Sequence, residues 1–304
     1  MSAPSVFGYK RHVPDLSSPS YPDIRLRTLS GFAWPEGKSC GVTIAWHVDG
    51  EAGPIGWDRG AVEHVTAISE AAYGITTAMP RILALHRDLD VPATFFVPAH
   101  VGERHPAMID AILAGGHEIA HHGYMHENLF GLPAEEQESV FKHATAILEG
   151  LTGQTPRGWS APGWGVDART LEVMAALGFT YDASLMEYDT PHLVETARGS
   201  LIELPTSMVL DDWALFGASL YPAGSAVTAP AEDARRIWLE EFRGLRRFGG
   251  LFHTTFHPNL MGRPGRLLML EQLLTEMRAC DDVWWGTCEA AADHAWTFAT
   301  EDPS

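Results

Sequence analysis

Cysteine is scarce in this chain of 304 residues. There are three, Cys40, Cys280 and Cys288, an odd number with no C-x-x-C pair. That excludes a disulfide framework and a cysteine-based zinc site. Buried or inert thiols in a reducing compartment are the expectation. Basic residues are also few, 21 Lys and Arg against 39 Asp and Glu, a formal net charge of −18. Such a surface repels phosphate backbones and anionic lipid, so no nucleic acid and no membrane surface is expected as a partner. No run approaches the ~20 apolar residues of a membrane span. The segment 1–30 lacks the apolar stretch of a signal peptide, which leads to the expectation of a cytoplasmic protein. Internal repeats, low-complexity tracts and long linkers are missing as well.

What the chain does have is an ordinary globular balance, 45% apolar and 20% charged residues, enough to bury a full core. Residues 1–38, rich in Pro, Ser and Tyr, read as an irregular N-terminal arm, and 39–304 as a single domain. Strand signals fall at Cys40–Trp46, Ala93–Val97, Glu118–Ala120, Gly158–Ala161, Tyr181–Ala183, Leu201–Leu204, Ser207–Leu210, Leu251–Phe256 and Val283–Gly286. Helical patterns fall between them, at Ala61–Tyr73, Thr77–Leu89, Pro106–Ala114, Pro133–Leu151, Ala168–Leu177, Ala231–Phe248 and Leu267–Arg278. Strands alternating with helices predict an α/β fold, a parallel sheet or a closed barrel of seven to eight strands.

Metal-type residues recur just after the strand signals, where α/β folds carry their sites. After the first strand stands His47-Val-Asp49-Gly-Glu51; His47 and Asp49, two apart, share a side of an extended chain. Taken alone, Asp49-Gly50 is equally a common turn pair. The second cluster, His117-Glu-Ile-Ala-His121-His122-Gly-Tyr-Met-His126, holds four histidines in ten residues. His122 and His126, at i and i+4, reach one ion from a helical turn. Gly123 breaks the H-E-x-x-H pattern, so this is not a metalloprotease motif. Two ligands fall short of the three that catalytic zinc usually takes, and Asp49 is the natural third. His117 and His121 read as structural. Trp159-Ser160-Ala-Pro-Gly-Trp164 offers an aromatic pocket wall or plain core packing. His257, ahead of Pro258 at a strand end, stands where a catalytic acid would be placed, while His253 reads as structural.

In their order and spacing these segments resemble the polysaccharide deacetylase, or NodB-homology, family over about residues 40–290. The similarity is greatest to the branch of peptidoglycan-deacetylase-like proteins, cyclic imide hydrolases and allantoinase-like enzymes. It is carried by Ala93-Thr-Phe-Phe-Val-Pro98, Gly116-His-Glu-Ile-Ala120, His122-Gly-Tyr-Met-His126-Glu127, Leu210-Asp-Asp-Trp213, His257-Pro258 and Gly262-Arg-Pro-Gly-Arg-Leu267.

The resemblance implies a distorted (β/α) barrel of about seven strands and a metal-dependent hydrolase of non-peptide carbon–nitrogen bonds. It implies zinc, or another divalent transition metal, on Asp49, His122 and His126. Catalytic roles fall on His47 as general base, His257 as general acid, and an acid of the Asp211-Asp212 pair, Asp212, to orient it. Trp46, Glu51, Ser160, Trp164 and Trp213 are expected to line the substrate pocket. Two positions depart from the branch: His47 stands where the base is a carboxylate, and Ser160 where an Arg pairs with that base. Both members of an ion pair are therefore replaced together. The substrate expected from the family is an acetamido sugar, small or oligomeric. A cyclic imide or ureide fits the branch and the cytoplasmic expectation. A non-catalytic binding protein on the same barrel is the reading from another class. The resemblance also implies a homo-oligomer, with a tetramer as one form and residues 1–38 in its contacts.

Overall fold

The computed structural model describes residue 21 and residues 23–217 and 228–299; the rest of the 1–38 arm and the end of the 39–304 domain lie outside the described residues. The strands are β1 (Ile24–Thr28), β2 (Cys40–His47), β3 (Ala93–Val97), β4 (Glu118–His121), β5 (Gly158–Trp159), β6 (Tyr181–Asp182), β7 (His192–Thr196), β8 (Gly199–Glu203), β9 (Leu251–His253) and β10 (Val283–Trp285).

β2 is buried at every position, which is why its sequence runs apolar without alternation: a parallel strand is covered on both faces. From it the order β2-β3-β4-β5-β6-β8 proceeds with parallel pairing throughout. β9 lies parallel on the other side of β2. Seven parallel strands thus form the curl, and β10, also parallel to β2, is an eighth among the described residues. The sheet curls until Asp211, downstream of β8, bridges to Thr255, just past β9. The expected barrel of about seven strands is present, distorted because this seam is closed by an isolated bridge. β1, β7 and β8 extend the sheet as an antiparallel edge. β10 pairs with the first half of β2, at Cys40, ahead of the point where β3 joins at Ile44.

Helices cover the outside. Ala231–Phe248 shows how: Trp238, Leu239, Phe242 and Leu245 are buried, acids stand in its first turn and Arg246 and Arg247 in its last, complementing the helix dipole. Gly249, at φ +84°, ends it in the left-handed conformation that glycine adopts without strain. No described helix is long and apolar enough to cross a membrane.

Three expectations need correction. The 1–38 arm is not irregular throughout, since Ile24–Thr28 forms β1 against β7. Ser207–Leu210 is not a strand; Met208–Leu210 is a 3-10 turn because the Ser207 hydroxyl accepts from Val209 N at 3.2 Å, a local bond that competes with sheet pairing. The helices expected at 61–73 and 77–89 run together through a π turn at Gly74–Ala78. There a Cβ on Gly74 would meet Asn259 N at 2.9 Å, so glycine lets the backbone after β9 pack directly on the helix. The sequence signals also missed β7 and the helix Cys288–Ala299.

Candidate active site

Parallel strands bring their carboxyl ends to one rim. His47 ends β2, His122 follows β4, Ser160 follows β5, and His257 lies just beyond the bridge of Phe256 to Trp46. Past His47 the chain stays extended to Asp49, then turns at Gly50, whose φ is +49°. A Cβ at Gly50 would strike Ile75 at 2.6 Å. The turn starts the helix Ala52–Trp57.

Asp49 is the centre of the arrangement. Its carboxylate lies 3.5 Å from His122 Nε2, 3.4 Å from His126 Nε2 and 3.7 Å from His257 Nε2. His122 Nδ1 donates to the Ser160 carbonyl at 2.6 Å, which fixes the tautomer and leaves the Nε2 lone pair aimed at Asp49. His122 Nε2 and Asp49 Oδ1 are buried without a hydrogen-bond partner, a cost that a native site tolerates for a reason. His126 sits at φ +57°, a left-handed conformation uncommon outside glycine. It is pinned there by Gly56, where a Cβ would meet the Met125 and His126 carbonyl oxygens at 2.2 and 2.6 Å. Burial would raise the Asp49 pKa, but His126, His122 and His257 outweigh it and hold the carboxyl below its ordinary range. Burial pushes the His126 imidazole down to about 4. Ligand atoms of His47, Asp49 and His122 form one group able to hold a metal ion; Asp211, Asp212 and His257 form another.

His257 faces this centre from the opposite wall. Asp212 accepts from its Nδ1 at 2.6 Å and from its backbone N at 2.9 Å. Burial alone would weaken this base; Asp212 first, then Asp49 and Asp211, outweigh it and push the imidazole up to about 10. His257 is thus protonated near neutrality. Asp211 turns elsewhere, accepting from Trp213 N at 2.7 Å and from the Trp164 side chain. Burial pushes Asp211 up to about 6.

His47 is buried, its ring 4.6 Å from that of His122 and 5.6 Å from that of His257. Burial, then the neighbouring imidazoles, push its pKa well below the ordinary value.

The pocket expectations divide. Trp164 lies 5.9 Å from His47 and Trp213 5.6 Å from His257, ring to ring, so both reach the mouth. Trp46 does not. Side chains alternate along a strand, and with His47 at the mouth Trp46 points into the core, its Nε1 donating to His86 Nε2 at 2.9 Å. Glu51 does not either: the turn at Gly50 ends the alternation, and its carboxylate is held by Arg104 at 2.7 Å and His105 at 3.1 Å. The Ser160 hydroxyl is fully buried and donates to the Ala183 carbonyl, so this residue meets the site only through its own carbonyl. Sequence reasoning missed Trp57, 54% exposed, 6.3 Å from the His126 ring and packed over Gly163. Its signal, a Trp closing a short Gly-Pro segment, does not distinguish a rim from a loop.

Residues 64–181 match the family described as Polysaccharide deacetylase. A peptidoglycan deacetylase of Helicobacter pylori is 30% identical over 281 residues, 83% of this chain and 95% of the relative. A Mycobacterium smegmatis protein assigned to the polysaccharide deacetylases superposes with a TM-score of 0.87 at 35% identity, covering 92% of this chain and 98% of that one. An allantoinase structure superposes with a TM-score of 0.77 at 22% identity, covering 98% and 100%, a likeness of fold.

Proposed function

The chain belongs to the polysaccharide deacetylase family, hydrolases of N-acetyl carbon–nitrogen bonds, and we propose from this that it is a metal-dependent hydrolase that removes an acetyl group from an acetamido sugar. The observation that carries the reading is the convergence of Asp49, His122 and His126 on one buried point, with Asp49 Oδ1 and His122 Nε2 left unpaired there.

One carboxylate and imidazole nitrogens suit zinc or a similar divalent transition metal. Asp49, His122 and His126 would hold it, and when bound it supplies Lewis acidity toward the amide carbonyl and the attacking water. The chain's own residues supply the rest. The Ser160 carbonyl keeps His122 in the ligating tautomer. Asp212 keeps the His257 Nε2 proton directed at the centre. That proton is available to the amide nitrogen as its bond to the acetyl carbon breaks, the general-acid role. Trp57, Trp164 and Trp213 supply flat apolar faces around the mouth, surfaces on which a sugar or another small ring packs.

The test is a substrate screen with zinc-loaded protein: N-acetylglucosamine oligomers, scored by acetate release, against succinimide-type and allantoin-type rings, scored by ring opening. Acetate released from the oligomers, and lost in Asp49→Ala, is the expected result. Ring opening without acetate release would replace the deacetylase by a cyclic amidohydrolase. Zinc bound with no turnover of either class would favour a binding protein on this barrel.

A further inference from the structure

We propose that His47 is a fourth protein ligand of the metal site rather than a general base. The inference rests on the metal-hydrolase reading above and deepens it.

Position comes first. His47 and Asp49 lie on the same side of the extended segment leaving β2, and ligand atoms of His47, Asp49 and His122 lie within 4.8 Å of one another. The residue is only 3% exposed, and its Nε2 is buried without a partner. Each of the three residues of this group, His47, Asp49 and His122, thus carries a buried polar atom without a partner. A buried polar group left unpaired is costly, and one shared cation would satisfy all three.

The ring's other neighbours bear on the choice of role. A catalytic imidazole is commonly oriented by a third group. His257 shows the arrangement, with Asp212 on its Nδ1. His47 has no such bond to a carboxylate among the described residues; it is packed by the rings of Phe96, at 5.2 Å, and Trp164, at 5.9 Å. Aromatic packing fixes the ring's direction without supporting a transferred proton. Ser160, fully buried, brings no cation beside it. A neutral nitrogen donor suits this place. The donor set would then be one carboxylate and three imidazoles, His47, His122 and His126, and His257 would keep only the role of proton donor to the leaving nitrogen.

The experiment measures metal, not turnover. Zinc affinity of the full chain is determined by competition with a chromophoric chelator for the wild type, His47→Ala and His47→Gln, beside the visible spectrum of each protein loaded with Co2+. The Gln variant approximates the imidazole's volume and keeps the comparison open if the Ala variant fails to fold. The expected result is a loss of zinc affinity of at least about 10- to 100-fold, the size of effect seen on removing even an outer-shell partner, with a changed cobalt spectrum. Affinity within about twofold and an unchanged spectrum would overturn the ligand assignment and return His47 to the base role. A wild type that takes up no zinc or cobalt would overturn the metal-hydrolase reading and this assignment with it.

Discussion

His257 and Asp212 show how much one side chain's neighbours decide. Asp212 uses both oxygens on His257, one on the ring and one on the backbone. An asparagine has one acceptor for those two donors, so it frees the backbone N–H or lets the ring take the wrong tautomer. We expect Asp212→Asn to lower kcat on the order of 10²–10⁴, the range for loss of a positioned acid, with KM little changed. Zinc content should stay at the wild-type level, because Asp212 bonds to His257 and to none of Asp49, His122 or His126. Steady-state kinetics beside metal analysis checks this, and a kcat within about threefold of wild type would remove Asp212 from the acid's support.

At the scale of elements, β6 and β8 meet at a pair of buried carboxyl groups. Asp182 and Glu203 are register partners. Burial pushes Asp182 up to about 6; burial, then Asp182, push Glu203 well above its ordinary value. Glu203 accepts from Ser184 N and Leu185 N at 2.9 and 2.8 Å, so the pair ties the strand ends to the following loop. Groups whose folded pKa is raised contribute stability below their unfolded values, near 4, and lose it as pH rises through the folded values. Here that loss begins near pH 4, runs through about 6 for Asp182 and continues upward for Glu203. Glu203→Gln keeps an acceptor for both backbone N–H groups and offers a donor to Asp182 Oδ2, which is unpaired. We expect the variant to exceed wild type in stability at pH 8 by about 1–3 kcal/mol, the cost of leaving a buried polar group unpaired, and by less at pH 5. Urea unfolding at the two pH values measures it. An equal difference at both would show that Glu203 does not titrate between those two pH values.

At the scale of the whole molecule, the metal and the fold are linked. The four ligands proposed for the ion come from two separate segments, His47 and Asp49 at and just past the end of β2 and His122 and His126 after β4, so their geometry exists only in the folded chain. A ligand that binds the folded state alone stabilises it by RT ln(1 + [L]/Kd), about 4 kcal/mol at a thousandfold excess over Kd. For a chain of this length that corresponds to a rise in Tm of several degrees. Differential scanning calorimetry with zinc and with chelator measures the shift, and superimposed transitions would argue against a site built as proposed. The net charge of −18 acts at this scale too, through solubility and the attraction of cations, and has no part in choosing the fold.

Much of this protein was determined by its sequence alone. Apolar strands alternating with amphipathic helices sufficed for a parallel α/β barrel, because burial on both faces leaves that pattern and few others. The spacing of His47 and Asp49, and of His122 and His126, together with the order of the motifs, named the candidate site, because short-range backbone geometry sets which neighbours share a side. Tertiary structure alone decided the rest. The turn at Gly50 sent Glu51 to Arg104 and His105. Strand parity, fixed once β2 was paired, sent Trp46 inward. Fold geometry also chose Asp212 over Asp211 for His257 and brought Trp57 to the mouth. These outcomes depend on contacts between residues tens to hundreds of positions apart, and no local pattern encodes which of two adjacent carboxylates, or which of several tryptophans, the folded chain brings to a given imidazole.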